Sequence, residues 1–287
     1  MKVAVVGVGN MGAPMAACIA RAGHDVMVYD TSQARARQVG AANQCQVAAS
    51  LQDLAGAEFV VTMLPTGQVV SDLYLRDGLA TQLRRGTIAI DMSSADPSGT
   101  RRLGAALAPH GIVLIDAPVS GGVPRAALGT LAIMIGGDDA PAIERARPLL
   151  RTMGDRLFDT GGLGTGHAMK ALNNFVAAAS YAACAEALIA GERFGLDPGR
   201  MVEILNVSTG RNFHTDMVLR EHVIGGKFAT GFALGLLAKD VKIAADLTRD
   251  LNFDAPLVRL VSARFDQARD TLGYASDNSE AIKAWKG

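Results

Sequence analysis

The sequence predicts a doubly wound α/β domain on a mostly parallel sheet, followed by an all-helical domain. Three observations carry this. Short Val- and Ile-rich runs in the first half are apolar on both faces, as strands buried between two helix layers are. Helix-like segments alternate with those runs, and strand-helix-strand rhythm feeds parallel pairing. After Asp159 the texture changes: Gly161-Gly162-Leu163-Gly164-Thr165-Gly166 leads into sequence with no convincing strand.

The expected strands are 2–6, 25–29, 59–64, 87–91, 112–116 and 131–135. Between them the helical pattern covers segments such as 12–22, 98–108 and 141–153. From His167 to Phe194 the chain reads as one long helix dominated by small residues, closed by Gly195 and Pro198. Glycine ends helices and proline cannot continue one. Further helices are expected at 198–207, 235–251 and 256–271. The boundary is placed near Leu163, giving domains 1–162 and 163–287, and 287 residues suit two ordinary domains.

Composition narrows the function. Lys+Arg and Asp+Glu both number 28, so the formal net charge is zero. With no basic block, neither nucleic acid nor an anionic membrane is an expected partner. Cys18, Cys45 and Cys184 are scattered, and the five histidines form no metal-binding spacing. Isolated thiols suggest a reducing compartment, and no metal site is expected. The apolar run Val3-Ala4-Val5-Val6 stops at Gly7, too short for a signal segment. The Ala-rich stretch 175–190 contains Ser180, Tyr181 and Glu186, which favours a buried helix over a membrane span. A soluble, cytoplasmic protein is expected.

The first motif is Gly7-x-Gly9-x-x-Gly12, running from the first strand into a helix. The first glycine permits the tight turn, the second lets backbone approach a pyrophosphate, and the third allows close helix–strand packing. The helix N-terminus then offers N–H groups to phosphate. Asp30 stands eighteen residues beyond Gly12, at the end of the second strand. A carboxylate there accepts ribose hydroxyls and repels a 2′-phosphate, and no arginine immediately follows it. The first domain is therefore read as a Rossmann-type fold binding NAD rather than NADP.

Val5-Val6-Gly7-Val8-Gly9-Asn10-Met11-Gly12-Ala13-Pro14-Met15 resembles the opening motif of the β-hydroxyacid dehydrogenases, typified by 3-hydroxyisobutyrate dehydrogenase. Three further stretches are similar to that family's motifs, in its order. They are Asp116-Ala117-Pro118-Val119-Ser120-Gly121-Gly122, the segment Gly164 to Asn174 around Lys170, and Lys239-Asp240. The resemblance implies an NAD-dependent oxidoreductase that interconverts a small 3-hydroxycarboxylate and its semialdehyde or keto form. It implies substrate-carboxylate binding by Ser120, Gly121 and Gly122, with Lys170 and Asn174 catalytic. Cofactor contacts are implied at Gly7, Gly9, Asn10, Met11, Gly12, Asp30, Leu64, Pro65, Ser94 and Lys239. His167 departs from the pattern, standing where the 3-hydroxyisobutyrate enzymes commonly carry glutamine.

Alcohol oxidation needs a hydride acceptor, which is the nicotinamide, and a group for the hydroxyl proton. Lys170 can take that proton when neutral and stabilise an alkoxide when charged. Partial burial among Ala168, Met169 and Leu172 is expected to favour its neutral form. Asn174, one turn further, can orient the hydroxyl or the ammonium. Read alone, Lys170 fits a solvated charge at a helix start as well. Ser120-Gly121-Gly122 fits either a carboxylate-binding nest or a plain Gly-Gly turn. Lys239 fits a surface helix charge, His167 a hydrogen-bonded helix-start histidine or a substrate contact. Arg211 and Phe213 are candidates for the distal pocket wall.

Other readings remain on the same scaffold. They are reduction of tartronate semialdehyde or another short semialdehyde, imine reduction, phosphogluconate-type oxidative decarboxylation, and a non-catalytic dinucleotide sensor. The small-residue helix, taken with the resemblance, points to a homodimer or homotetramer joined mainly through residues after Leu163.

Overall fold

The structure, a computed structural model, describes residues 1–286. It comprises two compact units, Met1–Lys170 and Ala171–Gly287. The division in sequence falls inside the long helix Thr165–Phe194, because backbone bonds tie that helix's first turn to the sheet of the first unit.

The first unit is built on nine strands: β1 (Lys2–Val6), β2 (Asp25–Tyr29), β3 (Gln46–Val47), β4 (Phe59–Thr62), β5 (Ile88–Asp91), β6 (Val113–Asp116), β7 (Val119–Ser120), β8 (Leu131–Gly136) and β9 (Gly154–Gly161). Their order is β3-β2-β1-β4-β5-β6-β8-β7, with β9 also on β8. The first six are all parallel. Successive strands step away from β1 in one direction, then in the other. The crevice at such a reversal is where open α/β sheets bind ligands.

Strand alternation explains the two helix layers. Val3 and Val5 enter one buried cluster with Val61 and Ile90. Ala4 and Val6 enter another with Val60 and Ala89. Each buried Val or Ile contributes about 1.5–3 kcal/mol, so a sheet apolar on both faces must be covered on both. The expected strand 131–135 is present, but it pairs antiparallel with β6 and β7. The connection from β6 runs through β7 and the helix Gly122–Leu128, and β7 pairs beside β6 on the same strand.

The second unit is helical, with Pro198–Asn206, Leu234–Asp250, Pro256–Leu272 and Ala281–Trp285 among its elements. Tyr181, from the long helix, packs against Phe265 and Trp285 at centroid distances of 6.4 and 6.1 Å. Its hydroxyl donates to the Ser279 carbonyl at 2.5 Å. By length and composition the long helix is apolar enough to cross a membrane. Its Ala178, Tyr181, Ala185 and Leu188 are instead buried in this unit's core.

Candidate active site

Gly7 leaves β1 with a φ of +88°. A Cβ on it would collide with the Met63 carbonyl, and one on Gly12 with the Gly7 carbonyl. Both glycines are thus required by close backbone packing. Gly9 differs: a Cβ there would meet nothing within 4 Å. Its missing side chain leaves space beside a helix, Gly12–Arg21, with no acidic residue in its first turn. These residues fit a dinucleotide pyrophosphate.

Asp30 is 7% exposed. Its two oxygens accept N–H bonds from Val8 at 3.0 Å and Ser32 at 2.8 Å. A carboxylate has about four acceptor sites, so capacity for ribose hydroxyls remains. Arg35, one helical turn along, brings its guanidinium to 3.6 Å from Asp30 Oδ1. Reasoning confined to the residue directly after Asp30 missed this cation.

Strand register brings the next residues together. Val6, Thr62, Asp91 and Asp116 are successive partners across β1, β4, β5 and β6. The segments carrying Gly7, Leu64-Pro65 and Ser94 therefore leave the sheet at one edge. The Leu64 N–H donates to Ser93 Oγ at 2.9 Å, joining two of these loops. Ser120 lies in β7, half-buried, and Gly122 opens the short helix Gly122–Leu128. The motif is thus a strand-to-helix junction rather than a free-standing turn. Gly121 and Gly122 have φ of +135° and +66°, a region that disfavours side chains.

Asp116 anchors the start of the long helix. Its fully buried carboxylate accepts N–H bonds from Gly164 at 2.7 Å and His167 at 2.8 Å. An anion there satisfies helix-end donors and complements the helix dipole. Lys170, in the second turn of that helix, is half-buried. The expected apolar surround is only partly present: Met169 and Leu172 are 43% and 38% exposed. Residues one or two positions away on a helix do not face one another, so these two sit on other faces.

In the second unit, Asn174 is buried and donates through Nδ2 to Asp240 Oδ2 at 2.6 Å. Lys239 Nζ stands 3.2 Å from the other Asp240 oxygen. Two expected site residues are thereby joined through a carboxylate given no role on sequence grounds; the Lys239-Asp240 pair was its only signal. Arg211 is paired with Asp216 at 3.0 Å, and Phe213 is 66% exposed. Burial pushes His214 down to about 4, and Ser180 Oγ lies 2.9 Å from its Nδ1. Among the described residues, no group of three or more His, Cys, Asp or Glu side chains is arranged to hold a metal.

This fold and this glycine cradle define a dinucleotide-binding protein. Residues 2–162 match the family described as the NAD binding domain of 6-phosphogluconate dehydrogenase. Residues 164–285 match the NAD-binding domain of NADP-dependent 3-hydroxyisobutyrate dehydrogenase. The chain is 36% identical to 3-hydroxyisobutyrate dehydrogenase of Pseudomonas aeruginosa, over 96% of each protein. It is 33% identical to 2-(hydroxymethyl)glutarate dehydrogenase of Eubacterium barkeri, over 100% of this chain and 95% of that one. The solved structure of Mycobacterium tuberculosis 3-hydroxyisobutyrate dehydrogenase with L-serine superposes with a TM-score of 0.91. That likeness is at 33% identity and covers 100% of this chain and 99% of the other. The chain belongs to the 3-hydroxyisobutyrate dehydrogenase family of β-hydroxyacid dehydrogenases, and it is an NAD-dependent enzyme acting on hydroxyacids.

Proposed function

We propose that the enzyme oxidises the alcohol of a small 3-hydroxycarboxylate to the semialdehyde or keto form, reversibly, with Lys170 handling the proton. The supporting observation is the position of Lys170, four residues before a buried, hydrogen-bonded Asn174 on one helix. Residues at that spacing share a helix face. Bound NAD supplies the hydride acceptor. Neutral Lys170 takes the hydroxyl proton, and its charged form stabilises the alkoxide in the reverse direction. Asp240 holds the Asn174 amide by its N–H, leaving the amide as an orienting group rather than a proton acceptor. Ser120 and the backbone at Gly121 and Gly122 bind the carboxylate. Gly7, Gly9, Asn10, Met11, Gly12 and Asp30 hold pyrophosphate and ribose, with Leu64, Pro65, Ser94 and Lys239 completing the cofactor contacts.

The substrate names among the relatives support a shared core. 3-Hydroxyisobutyrate, 2-(hydroxymethyl)glutarate and L-serine all present a hydroxymethyl group one carbon from a carboxylate. They differ in the substituent on the carbon between, which is methyl, carboxyethyl or ammonium. A site that reads carboxylate and β-hydroxyl accepts this core and selects on the substituent. NADH formation across 3-hydroxypropionate, 3-hydroxyisobutyrate, L-serine and 2-(hydroxymethyl)glutarate tests this. Turnover of at least one supports the assignment, and none with all four, while a 2-hydroxyacid is turned over, refutes it. The same reading takes the enzyme to be a cytoplasmic homodimer or homotetramer.

A further inference from the structure

Two loops that carry expected cofactor contacts are tied together beneath the surface. Leu64 and Pro65 follow β4, and Ser94 follows β5. Pro65 is exposed and Ser94 half-buried, whereas Ser93 is only 1% exposed. Its Oγ accepts the Leu64 N–H at 2.9 Å. The Ser93 N–H in turn donates to Asp91 Oδ1 at 3.1 Å. Both donors are main-chain amides, so the direction of each bond is fixed. The Thr62 hydroxyl reaches the same Asp91 oxygen at 2.8 Å, and Thr62 is the register partner of Asp91 across β4 and β5. Thr62, Asp91, Ser93 and Leu64 thus form a bracket across the two strand ends.

Packing keeps the bracket tight. A Cβ on Gly67 would stand 2.7 Å from the Ala95 Cβ, and one on Gly7 would stand 2.7 Å from Leu64 Cδ2. The two loops therefore lie against each other, and the first lies against the glycine cradle. Thr62, Asp91 and Ser93 are each at most 3% exposed. Removing the Ser93 hydroxyl takes the Leu64 N–H's partner away in a site shielded from water, which is costly.

Strand order says which part of the cofactor the bracket serves. β2, followed directly by Asp30, lies on one side of β1, and β4 and β5 lie on the other. A dinucleotide with its pyrophosphate on the cradle and its adenosine ribose on Asp30 extends its nicotinamide half over β4 and β5. Neighbouring strands are ~4.8 Å apart, so the two loops stand about 5 and about 10 Å from the cradle.

We infer that Ser93 is a positioning residue for the nicotinamide half of NAD. Buried behind Ser94, it holds the Leu64 amide to the end of β5 and so sets the gap between the two loops. This role rests on the proposed cofactor contacts of Leu64, Pro65 and Ser94.

Calorimetry on the intact enzyme with NAD and with ADP, which lacks the nicotinamide half, tests it. In Ser93→Ala the Kd for NAD should rise about fivefold, the scale of one hydrogen bond, while the Kd for ADP stays within about twofold. A role confined to stability lowers Tm and leaves both affinities of the folded enzyme unchanged, which overturns the inference. An equal loss for both ligands also overturns it, since the defect then lies at the cradle or Asp30. Should Ser93→Ala not fold, Thr62→Val removes the other tether on Asp91 and should give the same split. Hydrogen exchange in the wild type separates the failures. NAD should slow exchange in segments 63–67 and 92–96 more than ADP does. If it does not, the cofactor contacts themselves are refuted; if it does and Ser93→Ala binds NAD normally, only the role of Ser93 is.

Discussion

Asp30 is held by two backbone N–H groups with a half-exposed guanidinium beside it, and the proposed function sets this carboxylate against the ribose. If the carboxylate accepts the ribose hydroxyls, NAD should be preferred over NADP by at least about tenfold in kcat/KM, or ~1.4 kcal/mol. Asp30→Ala should chiefly raise the KM for NAD, and equal efficiency with both cofactors in the wild type would remove the role. His214 makes a second prediction at this scale. Its folded value of about 4 lies below the ordinary 6.5, so the unfolded chain binds the proton first as pH falls. Its stability contribution is therefore present above pH 6.5 and is lost progressively toward pH 4, by about 3 kcal/mol in all. Urea midpoints across that range should flatten in His214→Gln.

Among the elements, the helix start depends on a residue far away in sequence. Asp116→Ala should cost about 2–3 kcal/mol through two lost charge-assisted bonds, read as a lower Tm, with Asp116→Asn milder. An unchanged Tm would mean that solvent satisfies those donors. β1 and β2 were legible to the residue. β1 is a Val-rich run buried on both faces, and β2 buries Val26 and Val28 on one face while Met27 and Tyr29 are partly covered on the other. β9 was not: its sequence, GDRLFDTG, is largely exposed and carries no apolar period. The helix Gln33–Asn43 buries only Ala36, Val39 and Gly40, too small a stripe to read. The same divide runs through the site. Glycine motifs and Lys170 are local signals, whereas Asp91, Asp116 and Asp240 acquire their partners only through strand register and helix packing.

At the scale of the whole molecule, the second unit exposes large apolar side chains, with Phe194 at 87%, Val207 at 86% and Leu260 at 61%. Apolar surface of this kind is usually covered by association, so light scattering at micromolar concentration should give a dimer or tetramer, and a monomer would refute it. The division of labour between nucleotide cradle and lysine leads to the most direct measurement: turnover and NAD affinity of Lys170→Ala, determined side by side. The expected result is a loss of about 10²–10⁴-fold in kcat, the range for a positioned acid–base group, with NAD affinity nearly unchanged. Lys170→Arg should not rescue, since a guanidinium stays protonated. A folded Lys170→Ala enzyme with near-normal turnover would contradict the proposed chemistry.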